Sequence, residues 1–230
     1  MLKGAVFDLD HTLFDRYATL RRIMPAFCEH FDMGEGITVE KAGDIIEYAD
    51  RHFVHLGWQI IFKYLTEQGM FKATPSFEEY AEFLYSHFRK IAVEYSFTKP
   101  MLSKLRERGL LTGLITNGKS ETQRAKLKLL RLSDYFDEII ISGEFGCAKP
   151  STEPFVAMAQ RLKAEPNELI YVGDHPKYDI EASRRAGYIP VWIKTTGTWV
   201  YPEIEKPAIQ LDDVSSIPEV MDRLNNVTIL

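Results

Sequence analysis

The sequence predicts an α/β fold: a doubly wound parallel sheet with an all-helical domain inserted after the first strand. Three observations predict it. Short apolar runs rich in Val, Ile, Leu and aromatic residues alternate with stretches of helical spacing. Several of these runs end in a polar residue at the carboxyl end. One long segment, 15–96, interrupts the alternation with helical patterns and no convincing strand.

The first expected strand, 3–8, is the apolar run Ala5-Val6-Phe7 closed by Asp8. Within the insertion, 17–31 is the first helix. The second pattern, 39–68, carries Val39, Ala42, Ile45, Ile46, Ala49, Phe53, Ile60, Ile61, Tyr64 and Leu65 near helical spacing. Gly57 marks a break in it, because glycine weakens a helix interior by about 1 kcal/mol. The third helix, 76–94, opens on Ser76-Phe77-Glu78-Glu79, a capping-box pattern. Pro100 then opens a helix that Gly109 closes. Strand 110–116 leads to helix 120–131, which carries Ala125, Leu127, Leu129 and Leu130. Strand 138–142 leads to helix 154–163. Strand 169–174 leads to helix 177–186, with Gly187 as its stop. Strand 189–194 completes the alternation. Trp199 and Tyr201, in the apolar stretch 195–202, are expected to tuck onto the core. The expected domains are 1–14 with 97–230, and 15–96, the second reading as a lid over the end of the first strand.

Composition narrows the function. At 230 residues the chain suits one large domain or two modest ones, and 45% hydrophobic with 27% charged residues is ordinary for a soluble globular protein. A net charge of -5 argues against nucleic acid as partner, since that footprint is basic. No apolar run approaches the roughly 20 residues of a membrane span. The two cysteines, Cys28 and Cys147, form neither a metal-ligand spacing nor a disulfide framework, and no apolar leader precedes the first strand. A reducing, cytoplasmic location is expected.

Asp8 and Asp10 carry the most chemical information. In a strand, residues i and i+2 point to one side, so two carboxylates would emerge together at a strand's carboxyl end, where open α/β sheets place their ligands. Two close like charges are costly unless a cation or a shared proton relieves them. The pair asks for a divalent metal, and a metal beside a free carboxylate suggests phosphoryl chemistry. Three further segments fall at the carboxyl ends of expected strands or in the loops that follow. They are Leu114-Ile115-Thr116-Asn117-Gly118, Glu144-Phe145-Gly146-Cys147-Ala148-Lys149-Pro150, and Tyr171-Val172-Gly173-Asp174-His175-Pro176-Lys177-Tyr178-Asp179.

In these four segments, in this order, the chain resembles the haloacid dehalogenase-like (HAD) hydrolase superfamily, in its helical-cap subfamily. The resemblance spans nearly the whole chain. It implies a Rossmann-like sheet of strand order 5-4-1-2-3, a helical cap over 15–96, Mg²⁺ as cofactor, and a phosphatase acting on a small phosphorylated metabolite. Asp8 is then the nucleophile, giving an aspartyl-phosphate, and Asp10 the acid and base. Asp8 and Asp174 each give the metal an oxygen and Asp10 meets it through its backbone carbonyl. Asp179 is a further ligand through water, an orienting neighbour, or a helix cap. Lys149 neutralises phosphoryl charge. Thr116 donates to a phosphoryl oxygen, with backbone N–H groups around Leu9 and Asn117, or else caps the following helix.

The same resemblance separates related reactions. Dehalogenases lack the second carboxylate of the first segment, so Asp10 argues against dehalogenation. Phosphonatases lack it too and use a cap lysine. A phosphosugar mutase of the β-phosphoglucomutase type keeps both and stays open, as does a non-catalytic phosphate-binding module. His11 stands where the family often has glycine. His11 and His175 read as turn residues and Cys147 as a small buried side chain. Arg16 and Lys119 are candidate substrate contacts, as are Arg21, Arg22, Arg51, His52, His55 and Trp58, although most of the last six fit ordinary positions in the helical domain. Oligomeric state is not legible.

Overall fold

The computed structural model describes residues 1–195, 199 and 201–227, with only the backbone for His55 and Val227. The chain divides into two compact units, Met1–Asp15 with Glu94–Leu230, and Arg16–Val93.

The first unit is built on a six-stranded parallel sheet in the order β3-β2-β1-β4-β5-β6. The strands are β1 (Gly4–Phe7), β2 (Leu111–Thr116), β3 (Glu138–Ile141), β4 (Leu169–Gly173), β5 (Ile189–Ile193) and β6 (Ile209–Leu211). All four residues of β1 are buried, as a central strand covered on both faces requires. Phe7 pairs with Leu114 of β2 and with Val172 of β4. That register brings the carboxyl ends of β1, β2 and β4 to one level, at the point where the strand order turns back past β1. The expected order 5-4-1-2-3 is present, with β6 added at the edge.

Helices α5 (Thr98–Glu107), α6 (Ser120–Leu130), α7 (Ser142–Phe145), α8 (Glu153–Leu162), α9 (Ala182–Arg185) and α10 (Ile217–Val227) belong to this unit. One core cluster joins Val6, Ile115, Ile140, Leu169 and Tyr171 of the sheet to Phe155, Met158 and Leu162 of α8 and to Tyr188. Strand β6 and α10 have no counterpart among the expected elements. The expected helix over 177–186 begins instead as a π-helical turn, Pro176–Glu181, before α9. Trp199 packs edge-on against Trp192 at 4.9 Å and donates to the Ile204 carbonyl at 3.0 Å, so it lies on the core as expected. Residues 196–198 and 200 of that stretch lie outside the described residues.

The second unit contains α1 (Arg16–His30), α2 (Val39–Phe53), α3 (Trp58–Glu67) and α4 (Phe77–Phe88). Gly57, with φ 101°, ends the 3-10 turn Val54–Leu56 and opens α3, the break expected there. The Ser76 hydroxyl accepts from Glu79 N–H at 3.1 Å, one half of a capping box. Helix α4 stops at Phe88, short of the expected 94. Phe27, Phe31, Phe71, Tyr80 and Phe83 form its aromatic core. Among the described residues no helix is long and apolar enough to cross a membrane.

Candidate active site

The site forms where β1, β2 and β4 end. Asp8 keeps its place beside β4, its N–H donating to the Val172 carbonyl at 2.9 Å. The strand itself stops at Phe7, so Asp10 lies in the following turn rather than at the i+2 position of a continuing strand. That turn is tight: the Leu9 carbonyl accepts from Thr12 and Leu13 N–H groups. His11 takes φ 63°, a left-handed conformation in which glycine is at ease and histidine is tolerated. Its carbonyl accepts from the Thr195 hydroxyl at 2.6 Å.

The two carboxylates of Asp-Leu-Asp hold different ammonium groups. Lys149 Nζ is 2.7 Å from Asp8 Oδ1, while Lys126 Nζ is 2.6 Å from Asp10 Oδ1. Lys149 also meets Asp179 Oδ1 at 2.6 Å and the Tyr171 hydroxyl at 2.9 Å. Its loop is fastened by Asn117, whose side-chain amide donates to the Lys149 carbonyl at 2.9 Å and accepts from its N–H at 3.0 Å. Asp174 continues from β4, and its carbonyl accepts from the Trp192 indole at 2.8 Å.

Asp179 lies on the π-helical turn and is turned back into the site. Its Oδ2 accepts from His175 N–H at 2.9 Å. Gly173 makes this approach available, because a Cβ there would stand 2.5 Å from Asp179 Cγ. The cap of that turn is His175, whose Nδ1 accepts from Lys177 and Tyr178 N–H groups. Thr116 is buried, and its hydroxyl oxygen accepts from Gln123 Nε2 at 2.6 Å. The N-cap of α6 is Lys119, which is exposed.

Asp8, Asp174 and Asp179 are all buried and offer oxygens within 4.8 Å of one another, a set able to hold a metal ion. Burial is the main cause that lifts the Asp8 pKa to about 7; Lys149 opposes it, and Asp179 and Asp10 add to it. Burial, then Asp179 and Asp8, pushes Asp174 well above the usual carboxylate range. Burial pulls Lys149 down, but Asp179 and Asp8 outweigh it and hold the ammonium charged. Three carboxylates around one ammonium leave an unmet demand for positive charge.

The family model described as haloacid dehalogenase-like hydrolase matches residues 5–193. The chain belongs to the haloacid dehalogenase-like hydrolases. This hydrolase is 31% identical to a glyceraldehyde 3-phosphate phosphatase of Methanopyrus kandleri, over 84% of each chain. Its fold matches a HAD phosphatase from Thermococcus onnurineus at a TM-score of 0.61 and 25% identity, over 96% of this chain and 98% of that one. A 2-haloacid dehalogenase from Pseudomonas syringae pv. tomato matches at 0.60 and 25% identity, over 97% and 100%.

Other expected contacts of the hydrolase have partners of their own. Arg16 Nε bonds both Asp50 oxygens at 3.0 and 3.1 Å, with its guanidinium over the Trp58 and Phe88 rings. Arg21 binds Asp44 and Glu47, Arg51 binds Glu47, and His52 stacks on Tyr48. Arg22 is exposed, and the His55 side chain lies outside the described residues. Cys28 and Cys147 are free thiols, and Cys147 is half-buried rather than buried.

Sequence reasoning missed Gln123, Lys126 and the role of the Tyr171 hydroxyl. A signal for the first two existed. The buried face of α6 is Thr122, Gln123, Lys126, Leu127 and Leu130, an apolar-stripe spacing with an amide and an ammonium written into it.

Proposed function

We propose that this hydrolase is a Mg²⁺-dependent phosphatase that releases phosphate from a small phosphomonoester through an aspartyl-phosphate intermediate. The observation that carries the reading is the buried cluster of Asp8, Asp174 and Asp179 with Lys149 against it. Carboxylate oxygens suit a hard dication that retains part of its water shell. Burial first, and neighbouring negative charge after it, lift Asp8 and Asp174, and a dication offsets both by favouring the ionised carboxylates. The donor set therefore fits Mg²⁺. Asp8 and Asp174 would hold it directly with the Asp10 carbonyl, and Asp179 through water or by orienting the others. The bound ion supplies the charge neutralisation that lets an anionic nucleophile approach an anionic phosphate.

The chain's own residues do the rest. An Asp8 oxygen attacks phosphorus, and the electron pair of the ester P–O bond departs on the leaving oxygen. Asp10 gives that oxygen a proton, then takes one from the water that cleaves the acyl phosphate. Thr116 and the backbone N–H groups of Leu9 and Asn117 donate to the phosphoryl oxygens, and Lys149 balances their charge. Thr116 can do so because Gln123 occupies a lone pair of its oxygen and leaves the hydroxyl hydrogen for another acceptor.

Asp10 favours a phosphatase over a dehalogenase, since a departing halide needs no proton. The Methanopyrus relative's name makes three-carbon phosphates the first substrates to assay. The test is phosphate release from p-nitrophenyl phosphate and a panel of phosphorylated metabolites, with Mg²⁺ and with chelator. Release that needs Mg²⁺ and falls at least ~10³-fold in Asp8→Asn is the expected result. Isomerised sugar phosphate in place of free phosphate, or no turnover at all, would sink the reading.

A further inference from the structure

One helix grips both carboxylate oxygens of Asp10. Lys126 Nζ lies 2.6 Å from Oδ1, and Gln123 Nε2 lies 3.0 Å from Oδ2. The two side chains are three residues apart on α6 and so leave the same face. Lys126 is a costly residue at such a place. It is 3% exposed, with its ammonium 5.0 Å above the Phe14 ring. A buried ammonium is tolerated when a carboxylate meets it, and leucine would fill a position that served packing alone. Gln123 joins two groups of the site, because the same amide nitrogen donates to Asp10 Oδ2 and to Thr116 Oγ1.

We propose that Gln123 and Lys126 are positioning residues for Asp10, holding its carboxylate in one orientation and so governing proton delivery to the departing oxygen. The inference rests on the phosphatase reading and deepens it. In the step concerned the Asp10 carboxyl O–H bond breaks and its proton moves to the leaving oxygen. The electron pair of the broken P–O bond goes to that same oxygen, and the Asp10 carboxylate remains. A reacting group displaced by about an ångström loses much of its rate advantage, so a carboxylate freed to rotate delivers its proton poorly. The loss is selective. It matters most for a leaving oxygen that is strongly basic, and least for one that departs readily as the anion.

Two esters separate positioning from general damage. Phenyl phosphate and p-nitrophenyl phosphate share the aryl ester frame, and the nitro group reduces the need for protonic help. Lys126→Met is expected to lower kcat on phenyl phosphate at least about tenfold more than on p-nitrophenyl phosphate, with KM little changed. Asp10→Asn should move the ratio in the same direction and further, and Lys126→Arg should restore it towards the wild-type value. Gln123→Met removes no charge and serves if Lys126→Met does not fold. Any effect it has through Thr116 strikes both esters alike and cancels in the ratio. Equal losses on the two esters, or no loss, in a folded variant would overturn the proposal. A wild-type protein that hydrolyses neither ester overturns the phosphatase reading, and this inference falls with it.

Discussion

At the end of β4 a single hydrogen atom decides where a carboxylate sits. Gly173 has no side chain, and Asp179 uses the space: an added Cβ would lie 2.5 Å from its Cγ and 2.6 Å from its Oδ2. Neither atom belongs to a long flexible chain that could swing clear. Gly173→Ala must therefore shift Asp179 away from Lys149 and from His175 N–H. We expect this variant to fold and to bind Mg²⁺ about 10- to 100-fold more weakly, the usual cost of disturbing a group that orients metal ligands. A Mg²⁺ titration of activity measures it, and unchanged affinity would remove Asp179 from the metal site. His11 offers a second residue-scale reading. Its φ of 63° is one that glycine takes without strain, so His11→Gly should leave activity within a few-fold of wild type. A kcat comparison checks this.

Between elements, α6 is clipped to α7 by Glu144. Its carboxylate accepts from Arg124 Nε and an Arg124 terminal nitrogen at 2.8 and 2.7 Å, and from the Ser120 hydroxyl. The hydrogen bonds from Arg124 and Ser120 hold its pKa down to about 2. A carboxyl lowered on folding lends stability that is complete above its unfolded value, near 4.5, and disappears as pH falls through about 2. The pair is exposed to solvent, which screens it. Arg124→Ala should thus lower Tm modestly at pH 7 and much less at pH 2, by calorimetry at matched ionic strength; an equal drop at both would contradict the assignment. Element order and strand ends were legible because apolar runs, proline and glycine punctuation and polar strand termini are local signals. Strand β6 was not, since Ile209-Gln210-Leu211 is too short to show a period. The Asp10–Lys126 contact joins residues 116 apart. Helical spacing shows which way a side chain faces, but not what stands opposite. Asp8 and Asp10 share a motif yet part company after Phe7, because the strand ends with the apolar run at Phe7, one residue before the expected end at Asp8.

For the whole molecule, the proposed Mg²⁺, held by the buried acids, would be a stabilising ligand. An ion that binds only the folded chain adds about 2.7 kcal/mol at a hundred times its Kd. For a chain of this size that is a rise of roughly 5–10 °C in Tm. We expect Mg²⁺ to raise Tm by that order in the wild type and hardly at all in Asp174→Asn, read by scanning calorimetry; equal shifts in both would place the ion elsewhere. Heat resistance and turnover are tied together by one phenol. The Tyr171 ring packs against Phe155 and Tyr188 inside the oily interior, while its hydroxyl touches Lys149 and Asp179. An engineer who exchanges Phe155 or Tyr188 to harden the sheet also nudges the lysine that meets Asp8, so, on the proposed reading of Asp8 and Lys149, breeding this enzyme for endurance alone will register in its speed.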